Sequence, residues 1–149
     1  MEAIKLPAGV WVVVCDGRKA LILENAGDAD YPDLRTRATD EQAGPPSGNV
    51  GADRPGRVHQ SANSRRSAME ETDWHDEAEK AFVTDLVRRL DAALQAKDVD
   101  KLVIVAPPRA LGVMRKAYTG RLKAALHAEI AKDLTAVPVH KIESQLTGA

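Results

Sequence analysis

Cysteine is almost absent from this 149-residue sequence, which holds only Cys15. One thiol excludes an intrachain disulfide and fits a reducing compartment. Cys15 ends an apolar run, where a thiol serves as a small hydrophobe. The histidines are His59, His75, His127 and His140, and their spacing does not match a zinc site. Aromatics are also scarce: Trp11, Tyr31, Trp74, Phe82 and Tyr118. The core must therefore be built from Val, Leu, Ile and Ala. The apolar run Val10–Cys15 is too short to span a bilayer. The basic start and long apolar stretch of a secretion signal are missing, so a cytoplasmic location without membrane contact is expected. Net charge is −1, so any nucleic-acid contact must come from a local patch and not from the field of the whole chain. There is no glycine-rich phosphate loop and no nucleophile elbow around a serine, and no cofactor is expected.

What is present reads as one α/β domain over residues 1–149. Val10–Cys15 is β-branched and continuously apolar, as in a strand covered on both faces. Asp16-Gly17 follows, then the apolar run Ala20–Glu24. This pattern predicts a hairpin whose turn exploits the positive φ open to glycine. A third strand is expected over 34–38, with Arg35 and Arg37 marking an edge. Residues 40–73 carry Pro45-Pro46, Gly48, Gly51 and Pro55-Gly56 with few large apolar side chains, and read as a long flexible loop. Loops beyond about 12–15 residues are uncommon in compact domains and tend to be functional or disordered.

A helix is predicted over 74–96. Ala78, Phe82, Leu86, Leu90 and Ala93 line one stripe, with Val83, Val87 and Leu94 beside them. Leu102–Ala106 is a second buried strand, stopped by Pro107-Pro108. A helix over 110–118 follows. Residues 122–130 read as helix turning into a last strand at an unplaced boundary, and a final helix carries Val139, Ile142 and Leu146. The order β-β-β-α-β-α-β-α predicts one mixed sheet with helices packed on it.

The loop is the most informative segment for function. Arg54, Arg57, Arg65 and Arg66 fall within thirteen residues that hold no acid, and His59, Gln60, Ser61 and Asn63 add hydrogen-bonding groups. Guanidinium matches phosphate in a forked geometry, so this stretch is a candidate RNA contact. The alternative is a solvated loop whose charges face water. Arg109 stands at the carboxyl end of a buried strand, where open α/β sheets place ligands, and is a candidate anion site. The alternative is a rigid turn with an exposed arginine. Asp16, Glu24, Asp100 and Asp133 lie near strand ends, where clustered carboxylates would hold a divalent metal as in nucleases. Acids are also common at turns.

Several segments together resemble the bacterial host attachment protein family: residues 11–20, Asp53-Arg-Pro-Gly-Arg57, residues 66–75, Val103–Arg109 and Lys132-Asp-Leu-Thr135. That family is similar to the middle domain of the eukaryotic and archaeal class-I peptide chain release factor. The resemblance implies a ribonuclease-H-like sheet and a Gly-Gly-Gln loop between the third strand and the long helix, one that enters the ribosome's peptidyl transferase centre. Here that loop reads Val58-His59-Gln60-Ser61-Ala62, followed by Arg65-Arg66. Gln60 then corresponds to the catalytic glutamine, and Arg54, Arg57, His59, Arg65 and Arg66 to nucleic-acid contacts. Val58 and His59 replace the two glycines. β-Branched Val58 resists the backbone conformations glycine allows, which weighs against peptidyl-tRNA hydrolysis. A chain of this length leaves no room for a stop-codon-reading domain. The resemblance therefore implies a codon-independent accessory factor that contacts the ribosome or tRNA through residues 53–67. The competing expectations are a non-enzymatic factor with a protein partner, affecting attachment to host cells indirectly, and a metal-dependent nuclease.

Overall fold

The computed structural model describes residues 3–42 and 64–148, with residues 64–75 described by backbone alone. Strand β1 (Trp11–Cys15) turns at Asp16 into β2 (Lys19–Asn25), which turns again into β3 (Leu34–Glu41). Helix α1 (Ser64–Gln95) leads to β4 (Leu102–Ala106), α2 (Pro108–Ala117), α3 (Gly120–Ala125), β5 (Leu126–Ala131) and α4 (Val139–Thr147). The five strands form one sheet in the order β3-β2-β1-β4-β5. β2 runs antiparallel to β1 and β3, while β1, β4 and β5 are parallel. This is the single mixed sheet expected from the element order, and it agrees with the ribonuclease-H-like sheet that the resemblance implies.

β1 and β4 are buried at every residue because they lie side by side at the centre of a sheet covered on both faces. Trp11, Val13, Cys15, Leu102, Ile104 and Ala106 face α1, α2 and α3. Val12, Val14, Val103 and Val105 face α4 and the segment around Leu6. On α1 the buried positions are Val83, Leu86, Val87, Leu90 and Leu94, so the apolar face is the one expected but its centre lies on the residues read as flanking the stripe. Phe82 and Ala93 flank it, partly buried.

Three boundaries or turns depart from expectation, and a fourth that the sequence left unplaced is fixed. The hairpin turn does not use a positive φ at Gly17. Among the described residues only Gly9, Lys97 and Gly148 have one. Instead Asp16 Oδ1 accepts from the amides of Arg18 and Lys19 at 2.7 and 2.8 Å, closing the turn with a side chain. Gly17 is needed for space, since a Cβ there would stand 2.8 Å from Glu79 Cβ and 2.7 Å from Glu79 Cγ. β3 runs on to Glu41 and not only to residue 38, because β2 offers it partners as far as Lys19. An edge strand that exposes Arg, Thr, Asp and Glu carries no hydrophobic signal for its own end.

α1 begins at Ser64, ten residues before the predicted start, so residues 64–73, expected in the loop, are helical. The sequence Arg65-Arg-Ser-Ala-Met-Glu-Glu71 contains good helix formers and neither glycine nor proline. The last boundary falls between Ala125 and Leu126. Thr119 caps α3 by accepting from the Leu122 amide at 3.1 Å, which fixes Leu122 and Ala125 inward.

Candidate functional site

Parallel β1 and β4 end together at Asp16 and Pro107. α1 passes over that edge, leaving a cleft of about 280 Å³. Val83, Pro107, Ala110 and Val113 supply apolar lining, and Asp16, Arg18, Asp76, Glu79, Lys80 and Arg109 the charged lining. Asp16 is already engaged by the turn amides and by Thr135 Oγ1 at 3.2 Å, so it holds the fold here. Arg109, expected as an anion site, reaches that edge but is paired with the Asp76 carboxylate of α1. One guanidinium nitrogen of Arg109 is thus already engaged by a carboxylate of this chain.

The same edge holds the last described residues ahead of the arginine-bearing segment. The Gln42 amide donates to Arg18 O at 2.6 Å, and Gln42 Nε2 donates to Gly17 O at 2.9 Å. Asp40, two residues earlier, pairs with Arg89 of α1 at 2.6 Å. The chain thus leaves β3 clamped to the β1–β2 turn. It re-enters at Ser64, twelve residues before Asp76, a helical rise of about 18 Å. Arg54, Arg57, His59 and Gln60 lie outside the described residues. Arg65 and Arg66 fall in the first turn of α1, and not in a loop as expected.

The four carboxylates proposed as a metal cluster do not come together. Asp16 and Asp133 both accept from Thr135 Oγ1, at 3.2 and 2.8 Å, at the carboxyl ends of the parallel strands. Glu24 and Asp100 line a second cleft at the opposite edge. The cause is the antiparallel course of β2, which carries Glu24 back to Trp11. Among the described residues no three His, Cys, Asp or Glu side chains stand close enough to hold a metal ion. The nuclease expectation loses its structural basis in these residues. Cys15 is fully buried, with Sγ 3.7 Å from Met114 Sδ. Burial first, then Asp16 and Asp133, push its thiol up to about 12. It is an inert core residue, as read.

Two polar clusters escaped sequence reasoning. Asn25, the one buried polar residue among those described, bonds to both neighbouring segments through its amide. Glu129 on β5 accepts from Arg115 at 2.9 Å and from Tyr118 Oη at 2.8 Å. Burial alone would raise the Glu129 carboxyl, but the Arg115 and Tyr118 hydrogen bonds and the Arg115 charge outweigh it and lower it. Burial and then the Glu129 hydrogen bond raise the Tyr118 hydroxyl. Both clusters join positions far apart in sequence, and a lone Asn or Glu near a turn gives no signal of its distant partners.

The family described as bacterial archaeo-eukaryotic release factor family 12 matches residues 9–146. No curated protein matches. Among solved structures, the crystal structure of archaeal translation termination factor aRF1 aligns at 14% identity with a TM-score of 0.42. The alignment covers 93% of this chain and 36% of that one, so this chain spans about a third of the archaeal factor's length. Host attachment is not part of the matching family's description.

Proposed function

The chain belongs to that release factor family, and on this premise we propose that it is a release-factor-like accessory protein contacting ribosomal or transfer RNA through residues 53–67. The observation that carries the reading is the family match over residues 9–146, which includes the whole arginine-bearing segment. The chain leading toward it is held at Gln42 on the β1–β2 turn. Arg54, Arg57, His59, Arg65 and Arg66 are the phosphate and RNA contacts in this reading. Gln60 is the residue that would position a water, and hydrolysis of peptidyl-tRNA through it is the step Val58 and His59 disfavour. An effect on attachment to host cells would follow indirectly, through translation or a protein partner.

Sedimentation of the protein with purified ribosomes at low and moderate salt tests this. Association is expected to weaken with salt and to weaken again in an Arg65→Ala, Arg66→Ala variant, each lost phosphate contact lowering the salt slope by about one unit. Association then justifies a hydrolysis assay with Gln60→Ala. No association at either salt refutes the translation-linked reading. Partners that survive nuclease treatment of a lysate would then favour a protein-interaction factor.

A further inference from the structure

A net charge of −1 conceals a division along the chain. Residues 101–128 hold Lys101, Arg109, Arg115, Lys116, Arg121 and Lys123 and no acid, while the other 121 residues hold fifteen basic and twenty-two acidic side chains. Four of those six cations fall within nine residues, at the end of α2 and on α3. All four are exposed. Their neighbours Met114, Leu122 and Ala125 turn inward and fix these two short helices on the sheet. The cations therefore stand on a rigid surface.

The arginines are held from beneath. Arg115 places Nε and Nη2 3.2 and 2.9 Å from a single oxygen of Glu129. Arg121 Nη1 lies 3.0 Å from Asp91 of α1, whose other oxygen accepts from Thr119 at 2.6 Å. The carboxylate side chains are only 22% and 20% exposed, against 57% and 46% for the arginines. A guanidinium has five N–H donors, and these pairings use two on Arg115 and one on Arg121. The remaining donors lie on the more exposed partner of each pair, already oriented. Lys116 and Lys123 have no carboxylate within 4.0 Å among the described residues. Arg109 is not part of the group because it stands at the other end of α2, beside Asp76 at the cleft.

We propose that this α2–α3 surface is a second nucleic-acid contact, in which Arg115, Lys116, Arg121 and Lys123 take successive phosphates of an RNA backbone. Oriented arginines fork onto phosphate oxygens, and the two lysines add point charges. Without an aromatic platform among the four, the contact reads backbone and not base identity. The proposal rests on the release-factor-like reading only in naming the polyanion as RNA. It requires nothing of residues 53–67.

The test is binding of the full chain to a labelled RNA duplex over a salt series, with the parent, a Lys116→Ala, Lys123→Ala variant and the Arg65→Ala, Arg66→Ala variant. The lysine variant removes exposed side chains that make no ion pair among the described residues, and circular dichroism checks its fold. It is expected to bind roughly tenfold more weakly, with a salt slope lower by about two units. Parental affinity and slope in that variant would overturn the proposal whatever the arginine variant does. Failure of the parent to bind the duplex would overturn it as well. Binding of poly-glutamate as tightly as RNA would replace it with an acidic protein surface. A weakened lysine variant beside an unchanged arginine variant would uphold this surface and refute the contact through residues 53–67.

Discussion

Asn25→Ala should be among the most damaging single changes outside the apolar core. Asn25 is 2% exposed at the end of β2. Its Nδ2 donates to Leu6 O at 2.7 Å, and reaches Pro7 O and Asp28 O at 3.3 Å. Its Oδ1 accepts from the Gly27 and Asp33 amides at 2.9 and 2.8 Å. One amide thus ties the amino-terminal segment and both sides of the β2–β3 turn to the sheet. Alanine strands two backbone donors and takes a partner from three carbonyls, of which Pro7 O keeps the Val10 amide. Each unsatisfied buried group costs about 1–3 kcal/mol, and water can reach the partly buried turn amides, so about 3 kcal/mol is expected in total. For a domain of this size the melting temperature should fall by roughly 6–12 °C. Urea unfolding followed by circular dichroism measures it, with an unchanged m-value as the sign that only stability moved. Asp30→Ala, an exposed change in the same turn, serves as control and should stay within about 0.5 kcal/mol. An Asn25→Ala loss no larger than the control's would refute the stapling role.

Further outcomes follow from the same geometry. Lys97 closes α1 in the left-handed region at φ 64°, with its amide on Leu94 O and the Asp98 amide on Ala93 O; Lys97→Gly should raise stability by about 0.5–1 kcal/mol, and a lower urea midpoint would count against the assignment. Gly17→Ala drives a methyl group into the stem of Glu79 and should cost about 1–3 kcal/mol, whereas an unchanged midpoint would mean α1 does not pack over the hairpin as described. The lowered Glu129 carboxyl contributes stability that is present above the ordinary glutamate range and lost as pH falls through its folded value, so Glu129→Gln should flatten the acid side of a stability–pH curve. The raised Tyr118 hydroxyl works in the other direction: its contribution is full below about pH 10 and is lost as pH rises beyond it, and Tyr118→Phe should remove that alkaline dependence.

The sequence was most legible where burial is continuous or periodic. Val10–Cys15 and Leu102–Ala106 could only be central strands, and the stripe from Val83 to Leu94 could only be one helix face. Legibility failed where structure is held by exposed polar residues. β3 is a strand because β2 pairs with it, not because of its own side chains, so its last three residues read as loop. The first ten residues of α1 read as loop for the same reason, having helix propensity without an apolar stripe. At Gly17 the sign of the signal was right and its mechanism wrong: a hairpin was present, but glycine was needed for room against Glu79 and Asp16 made the turn.

Function was less legible because charge is read along the chain but acts across it. Arg109 looks unpaired in sequence and is paired with Asp76, thirty-three residues earlier. Asp16, Glu24, Asp100 and Asp133 look equivalent and are divided between opposite sheet edges by the reversal of β2. Conversely Arg115 and Arg121 look like ordinary helix-surface residues, and become oriented donors only when Glu129 and Asp91 arrive from β5 and α1. A basic run is a weak sign of a binding surface, since most such runs are simply solvated. A basic run whose arginines are fixed by mostly buried carboxylates has already met the ordering cost of a contact, and so is better suited to bind phosphate than an equal number of unrestrained charges. That difference makes the α2–α3 surface a stronger candidate than composition alone would rank it.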